Sequence, residues 1–328
     1  MSRQATDRRG ARKTRAAGAA MSGDGGFVLV SVLWLLALLT LVVLVLLTAV
    51  RLDVRTTGQV IGHAEAETLA DGLMRLVALR LGDRDRRPLA DAGLARDGTP
   101  VRCEHRNAAV AIAVTDVGGL VDLNAASPAL LEWLLRGLGA APDRAAALAA
   151  AIADFRDQHD APGVNGAESD AYRAAGLGHG PKKAPFETTT ELDQVLGMDL
   201  ALLNRLRAVT TVHSHQPGID PKVAPREVLS AAAATTTEVA AASATFDAPV
   251  TTGIPSQFRI ASRARAYRVS VAVQLPGGGR FTREAVIEPE RTAPLGFWLR
   301  EWTVPPPGIE EDVPQPSVDA VQCMPALM

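Results

Sequence analysis

From Phe27 to Val50 the chain runs through 24 residues without a single charge, FVLVSVLWLLALLTLVVLVLLTAV. At helical rise that run spans about 36 Å, more than the roughly 30 Å hydrocarbon core of a bilayer. It is too apolar for the surface helix of a soluble domain. Six basic residues precede it (Arg3, Arg8, Arg9, Arg12, Lys13, Arg15) against two acidic ones, Asp7 and Asp24. This asymmetry predicts a cytoplasmic N-terminus and export of everything after Arg51. A cleaved secretory signal fits less well, because the run is too long and no small-x-small site follows it cleanly.

The remaining residues carry a net charge of −6. An acidic body is a poor partner for a phosphate backbone, which argues against nucleic acid. Cys103 and Cys323 are the only cysteines. Two are too few for a disulfide scaffold or a Cys-rich zinc module, and the spacing leaves open whether they pair.

Beyond the apolar run helical periodicity continues, with Leu69, Leu73, Leu76, Val77 and Leu81 on one face and Glu65, Glu67 and Arg75 off it. One helix from Phe27 to about Leu81 is expected, membrane-spanning over 27–50 and amphipathic over 51–82. Alternating patterns predict strands near 101–106 and 109–116, then over 257–275 and 280–288, the last two joined by a hairpin at Pro276 to Gly279. Residues 99–117 and 256–290 should therefore share one antiparallel sheet packed on the helix. Between them, residues 118–231 form Leu/Ala-rich helical patterns broken by Pro and Gly. The low-complexity stretch 232–255 reads as a linker, and 304–328, rich in proline and acid, as a disordered tail. The fold class is α+β with a large inserted helical domain.

Five carboxylates crowd one loop of the insertion: Asp154, Asp157, Asp160, Glu168 and Asp170, with Arg156 the one basic residue among them. Several hard oxygen donors on an irregular loop suit Ca²⁺, although a merely solvated acidic loop has the same composition. Glycoside cleavage by paired carboxylates would need an aromatic-lined cleft, and only Phe155 and Tyr172 lie nearby. His213 and His215 form an H-x-H pair with no acidic or cysteine partner close in sequence. No G-x-S-x-G, H-E-x-x-H or P-loop pattern occurs, so nothing points to an enzyme. The run LNAAS…LLRGLG…AAALAAAI resembles the helix-hairpin-helix of competence-type DNA receptors. The carboxylates that follow it favour a scaffold kept for protein contacts.

Gly25-Gly26 abuts Phe27 directly. A glycine, then Phe, then a helix with an apolar first half resembles the type IV prepilin and pseudopilin family. The resemblance implies that a prepilin peptidase cuts after Gly26, removing a 1–26 leader, and methylates the amine of Phe27. A start at Met21 would give the short leader MSGDGG and discard all six basic residues. Most family members carry Glu at the fifth mature position, where this chain has Ser31. In the family that carboxylate neutralises the terminal amine of the neighbouring subunit above; a tip subunit has no such neighbour and can lack the charge, so the resemblance implies a filament tip.

The insertion sharpens the resemblance. VDLNAA at 121–126, AIADFRD at 151–157, GAE-x-x-x-Y at 166–172 and PF-x-T-x-x-EL at 185–192, leading to LGM at 196–198, together resemble the K-type minor pseudopilin, GspK, of the type II secretion system. A weaker echo follows at GIDPKVAPREVL, 218–229, where Asp220 replaces the usual Asn. The resemblance implies a pilin-like fold with a SAM/helix-hairpin-helix-like insertion, and a structural Ca²⁺ on Asp157, Asp160 and Glu168, with Asp154 and Asp170 secondary. It implies a single-pass protein of the bacterial inner membrane with a periplasmic soluble part. Its implied partners are I- and J-type minor pseudopilins, the major pseudopilin, the prepilin peptidase and secreted substrates. Two alternatives remain at this stage: a signal-anchored periplasmic binding protein, and a competence-type DNA-binding protein.

Overall fold

The computed structural model describes residues 25–82, 94–158, 169–242, 253–305 and Cys323. In chain order its elements are α1 (Gly25–Gly82), β1 (Val101–His105), β2 (Ala108–Asp116), β3 (Val121–Asp122), α2 (Pro128–Gly137), α3 (Pro142–Arg156), α4 (Ser169–Ala174), α5 (Leu200–Val209), β4 (Thr210–Thr211), α6 (Arg226–Ala242), β5 (Tyr267–Gln274), β6 (Arg280–Pro289) and β7 (Phe297–Thr303). The chain divides into two compact units, residues 1–57 and 58–328.

In the first unit, Phe27–Leu47 is helical and exposed, with a mean hydropathy of 3.1; it is long and apolar enough to cross a membrane. Ser31 donates its hydroxyl to the carbonyl of Val28 at 2.8 Å, and Thr40 donates to Ala37 at 2.8 Å. Both hydroxyls are thus satisfied within the helix, as a medium without water requires.

The second unit is built on a five-stranded antiparallel sheet in the order β1-β2-β5-β6-β7. Alternation on β2 and β5 sends Val110, Ile112, Val114, Val269, Val271 and Val273 to one face. From Gly58 onwards α1 packs there, burying Ala66, Ala70, Leu73, Met74, Val77, Ala78 and Leu81 at helical spacing. Leu69 and Leu76 border this contact. Glu67, expected off the packing face, is instead drawn towards the sheet. Arg283 of β6 donates to Glu67 at 2.9 Å and to Asp71 at 2.7 Å, with its guanidinium 4.7 Å from the Phe281 ring centroid.

The helical domain is inserted between β2 and β5. Asp116 and Tyr267, its entry and exit, are register partners in the sheet, so a long excursion begins and ends at adjacent strand ends. Its core collects Leu120, Leu123, Leu130, Leu134, Ile152, Phe155, Tyr172 and Leu206. Several of its glycines are sterically required, two of them by the closest backbone carbonyls. A Cβ on Gly119 would lie 2.3 Å from the Val223 carbonyl oxygen, and one on Gly137 would lie 2.3 Å from that of Ala231.

Four features depart from the sequence boundaries. The strand expected over 257–275 begins only at Tyr267, after a 3-10 turn at Ser256–Phe258. Strand β7 extends the sheet beyond residue 290. Its sequence FWLREWT has no clean alternation, and a register shift between Val286 and Ile287 breaks its pairing with β6. Helix α6 runs to Ala242, through the start of the expected linker, because an Ala-rich stretch has strong intrinsic helix propensity whatever its complexity. Within the expected tail, Cys323 is fully buried and disulfide-bonded to Cys103 of β1.

Candidate functional site

The acidic end of α3 and the segments that fix it form the candidate site. Helix α3 begins with Pro142 at its first turn and ends at Asp157, whose N–H returns to the carbonyl of Ala153. Asp154 is buried in its last turn and Asp157 is exposed at its end. Arg156 turns inward and donates to the carbonyls of Leu123 and Ala126. Burial draws its guanidinium below the ordinary arginine value, against the opposing pull of Asp122 and Asp157. Asp170, in the first turn of α4, is exposed and pairs with Arg173 at 2.7 Å. Asp160 and Glu168 lie outside the described residues. Among the described residues no three acidic, histidine or cysteine side chains converge as a metal would require.

What holds this end in place is the VDLN element. Asp122 is fully buried, and its carboxylate accepts four hydrogen bonds. Oδ1 takes the N–H groups of Asn124 (2.8 Å) and Ala125 (3.0 Å). Oδ2 takes the Ser214 hydroxyl (3.1 Å) and the His215 N–H (2.7 Å). The same carboxylate therefore shapes the turn into α2 and ties it to the segment after β4, which pairs in parallel with β3. Asn124 then clips the PF element: its side-chain amide donates to the Phe186 carbonyl at 2.9 Å, and its Oδ1 accepts the Phe186 N–H at 2.8 Å. Phe186 stacks on Phe155 with ring centroids 5.0 Å apart, and Lys183 donates its N–H to the Phe155 carbonyl. Downstream, Glu191 accepts the N–H groups of Glu187 and Thr188, and Lys182 pairs with it at 2.8 Å. That hydrogen bond holds the Lys182 ammonium above the ordinary lysine value.

Asp220 in the weaker echo repeats the role of Asp122 rather than that of Asn124. Its Oδ1 accepts the N–H two residues ahead, from Lys222, as Asp122 does from Asn124. Its Oδ2 accepts from the N–H of Ser262, whose hydroxyl donates to Asp116. On the sheet side, Arg268 of β5 donates to the carbonyls of Arg207, Ala208 and Thr210, closing the C-terminal end of α5. Burial lowers its guanidinium, with Glu284 and Glu301 pulling the other way.

The histidine pair does not act as a unit. His213 is half-buried with Nε2 2.7 Å from Glu301 of β7, while the His215 backbone serves Asp122. Sequence spacing could not supply Glu301, which comes from another element. At the hairpin between α2 and α3, Arg144 is engaged by Asp199 at 2.6 Å and Arg205 donates to the Leu138 carbonyl. At the other end of the chain Gly26 lies in α1 and Phe27 is exposed on it.

An apolar N-terminal helix and an antiparallel sheet interrupted by a helical domain define an α+β chain of composite build. Residues 112–215, which contain the Asp122 and Asn124 anchors, match the family model described as type II secretion system (T2SS), protein K. Over these residues, about a third of the chain, it is similar to that family. Type II secretion system protein K of Klebsiella pneumoniae is 41% identical over 73 residues, 22% of each chain. That of Pectobacterium carotovorum is 35% identical over 77 residues, 24% of each. The matched stretch thus spans under a quarter of either curated relative. A solved chain from the GspK-GspI-GspJ complex of enterotoxigenic Escherichia coli shows 17% identity and a TM-score of 0.48, over 77% of this chain and 98% of that one.

Proposed function

We propose that the protein is a minor pseudopilin at the tip of a type II secretion pseudopilus, initiating or capping its assembly. The observation that carries this reading is the protein K domain placed as an insertion in the sheet of a chain with an apolar N-terminal helix. Phe27 to about Val50 holds the precursor in the inner membrane, with the N-terminus cytoplasmic and the rest periplasmic. Prepilin peptidase cuts between Gly26 and Phe27 and methylates the new amine. Partners are the I- and J-type minor pseudopilins, the kind of company in which the Escherichia coli chain was solved, and then the major pseudopilin; secreted substrates meet the insertion. Ser31 supports the tip position, since its neutral hydroxyl is already used within its own helix and offers no countercharge to a neighbour's amine.

The direct test is N-terminal sequencing of the membrane-extracted protein from a strain with active prepilin peptidase. A methylated Phe27 terminus is expected, and Gly26→Ala should slow cleavage. Recovery of the uncleaved precursor alone would overturn the assignment. Overexpressed by itself, the subunit should form no homopolymeric filaments.

The acidic loop completes the proposal as a structural Ca²⁺ site on Asp157, Asp160 and Glu168, supplemented by Asp154 and Asp170. The donor set is all oxygen, the class that calcium selects. Extracytoplasmic modules of this kind bind with constants around 10⁻⁴–10⁻³ M, and saturation at 100 times that constant adds about 2.7 kcal/mol. Melting temperature should rise with millimolar calcium, fall back with chelator, and lose most of this response in Glu168→Ala. An unchanged melting curve leaves the loop merely solvated.

A further inference from the structure

The outer face of the sheet, opposite α1, meets the helical insertion across a cleft of about 480 Å³. Its floor follows from strand alternation. Val269, Val271 and Val273 of β5 and Phe281, Ala285 and Ile287 of β6 belong to the core under α1, so Ser270, Thr282 and Glu284 point the other way. Register lines Ala113, Ser270, Glu284 and Thr303 into one row across β2, β5, β6 and β7. The row covers three strand spacings, about 14 Å, and Glu284 is its one long side chain. Small residues there keep the floor low, which is why space remains beneath the insertion. From the insertion, Thr189 and Arg207 join the lining.

Thr115, Thr189, Ser270, Thr282 and Thr303 all line this cleft, and none of their hydroxyls has a hydrogen-bond partner among the described residues. The same holds for the Glu284 carboxylate and the Arg207 guanidinium. The cleft thus presents five groups that both donate and accept, one that only accepts and one that only donates. An ion gains nothing here, because Arg207, Arg268 and Arg300 are balanced by Glu227, Glu284 and Glu301. An extended peptide gains little more. The main-chain groups of β2, β5 and β6 are spent in the ladders on both sides, so the floor offers side chains only. A neutral molecule whose adjacent groups each donate and accept matches this lining, and vicinal hydroxyls on a sugar ring are such groups.

We propose that the cleft between the outer sheet face and the insertion binds a neutral saccharide of one or two rings. Glu284 accepts from ring hydroxyls, Arg207 donates to them, and the hydroxyls of Ser270, Thr282 and Thr303 complete the set. No aromatic side chain lines the cleft among the described residues, so no ring face is stacked and affinity rests on hydrogen bonds. That sets the dissociation constant at about the millimolar level. This inference is independent of the secretion reading.

The test uses the full oxidised chain in a detergent without a sugar headgroup. Saturation-transfer difference NMR is recorded with glucose, N-acetylglucosamine, cellobiose and chitobiose, each up to about 50 mM. At least one sugar should give a saturable ring-proton signal. Its affinity should fall about tenfold in Glu284→Gln, which keeps the shape of the side chain, and measurably in Ser270→Ala, with both variants melting as the parent does. Alanine, a zwitterion able to bridge Arg207 and Glu284 by charge alone, should give no signal. Silence from all four sugars would overturn the proposal. So would a sugar signal that both variants leave unchanged, or a stronger signal from alanine than from any sugar.

Discussion

Replacing Asp122 with Asn changes one atom in a fully buried group and should be among the costlier conservative substitutions in the chain. Four donors converge on this carboxylate: three backbone N–H groups and the Ser214 hydroxyl. The amide of Asn can accept on one side only. With its oxygen facing Asn124 and Ala125, its NH₂ meets the His215 N–H and the Ser214 hydroxyl. The hydroxyl can rotate and accept, but the His215 N–H cannot. One buried donor is then unsatisfied, at about 1–3 kcal/mol, and the bonds that remain lose their charge assistance. Flipping the amide is worse, since it strands two backbone donors. Arg156, held in a half-buried position with Asp122 as an attracting charge, loses part of its support as well. A total of about 3 kcal/mol follows, or roughly 6–12 °C in melting temperature for a domain of this size. Thermal denaturation of the detergent-purified chain, followed by circular dichroism, measures it. Ser214→Ala should cost less, about 1–2 kcal/mol, because it removes one neutral donor to Asp122 and only the long 3.4 Å acceptor of the Gln216 N–H. If Asp122→Asn melts within about 1 °C of the parent, Asp122 is not the anchor described here.

Three further outcomes follow from individual contacts. Arg268→Lys leaves a single ammonium where a forked guanidinium spans three carbonyls at the end of α5, and should lower stability by about 2–3 kcal/mol in a denaturant titration. Gly119→Ala drives a methyl group against the Val223 backbone and should cost about 1–3 kcal/mol, whereas Gly72→Ala, which meets no neighbouring atom, should be neutral or slightly stabilising by the same measurement. The Asp199 carboxylate is held below its ordinary value by the Leu202 N–H it caps, then by Arg144. Its contribution is therefore present above the unfolded value and lost as pH falls through the lower folded one, so Asp199→Asn should flatten the acid limb of a stability–pH profile.

Much of the fold was legible because it rests on periodicity. Alternation in 109–116 marks β2 nearly to the residue, and the spacing of Leu73, Val77 and Leu81 marks the buried stripe of α1. What periodicity cannot show is pairing between distant segments. Glu67 meets Arg283 and His213 meets Glu301 only because the sheet brings β6 and β7 to them. Asn124 was visible as part of a motif, but its clip to Phe186, 62 residues away, was not. The echo at Asp220 misled for a related reason. Matched by residue type it aligns with an asparagine, while matched by hydrogen-bond role it aligns with Asp122. Of the acidic loop, the sequence supplies the donors, and the structure adds that Arg156, the lone cation among them, is turned inward to serve Leu123 and Ala126.

The disulfide has a mechanical consequence. By joining residues 103 and 323 it turns nearly all of the second unit into one covalent loop, so tension applied between the membrane-side helix and the C-terminus bypasses everything inside. Only residues 58–102 remain extensible, a contour of about 150 Å, against several times that for the reduced chain. A pulled molecule would peel α1 from the sheet and then stop, with the insertion intact. In a single-molecule stretching experiment the oxidised protein should show one short extension step, and reductant should add the long one.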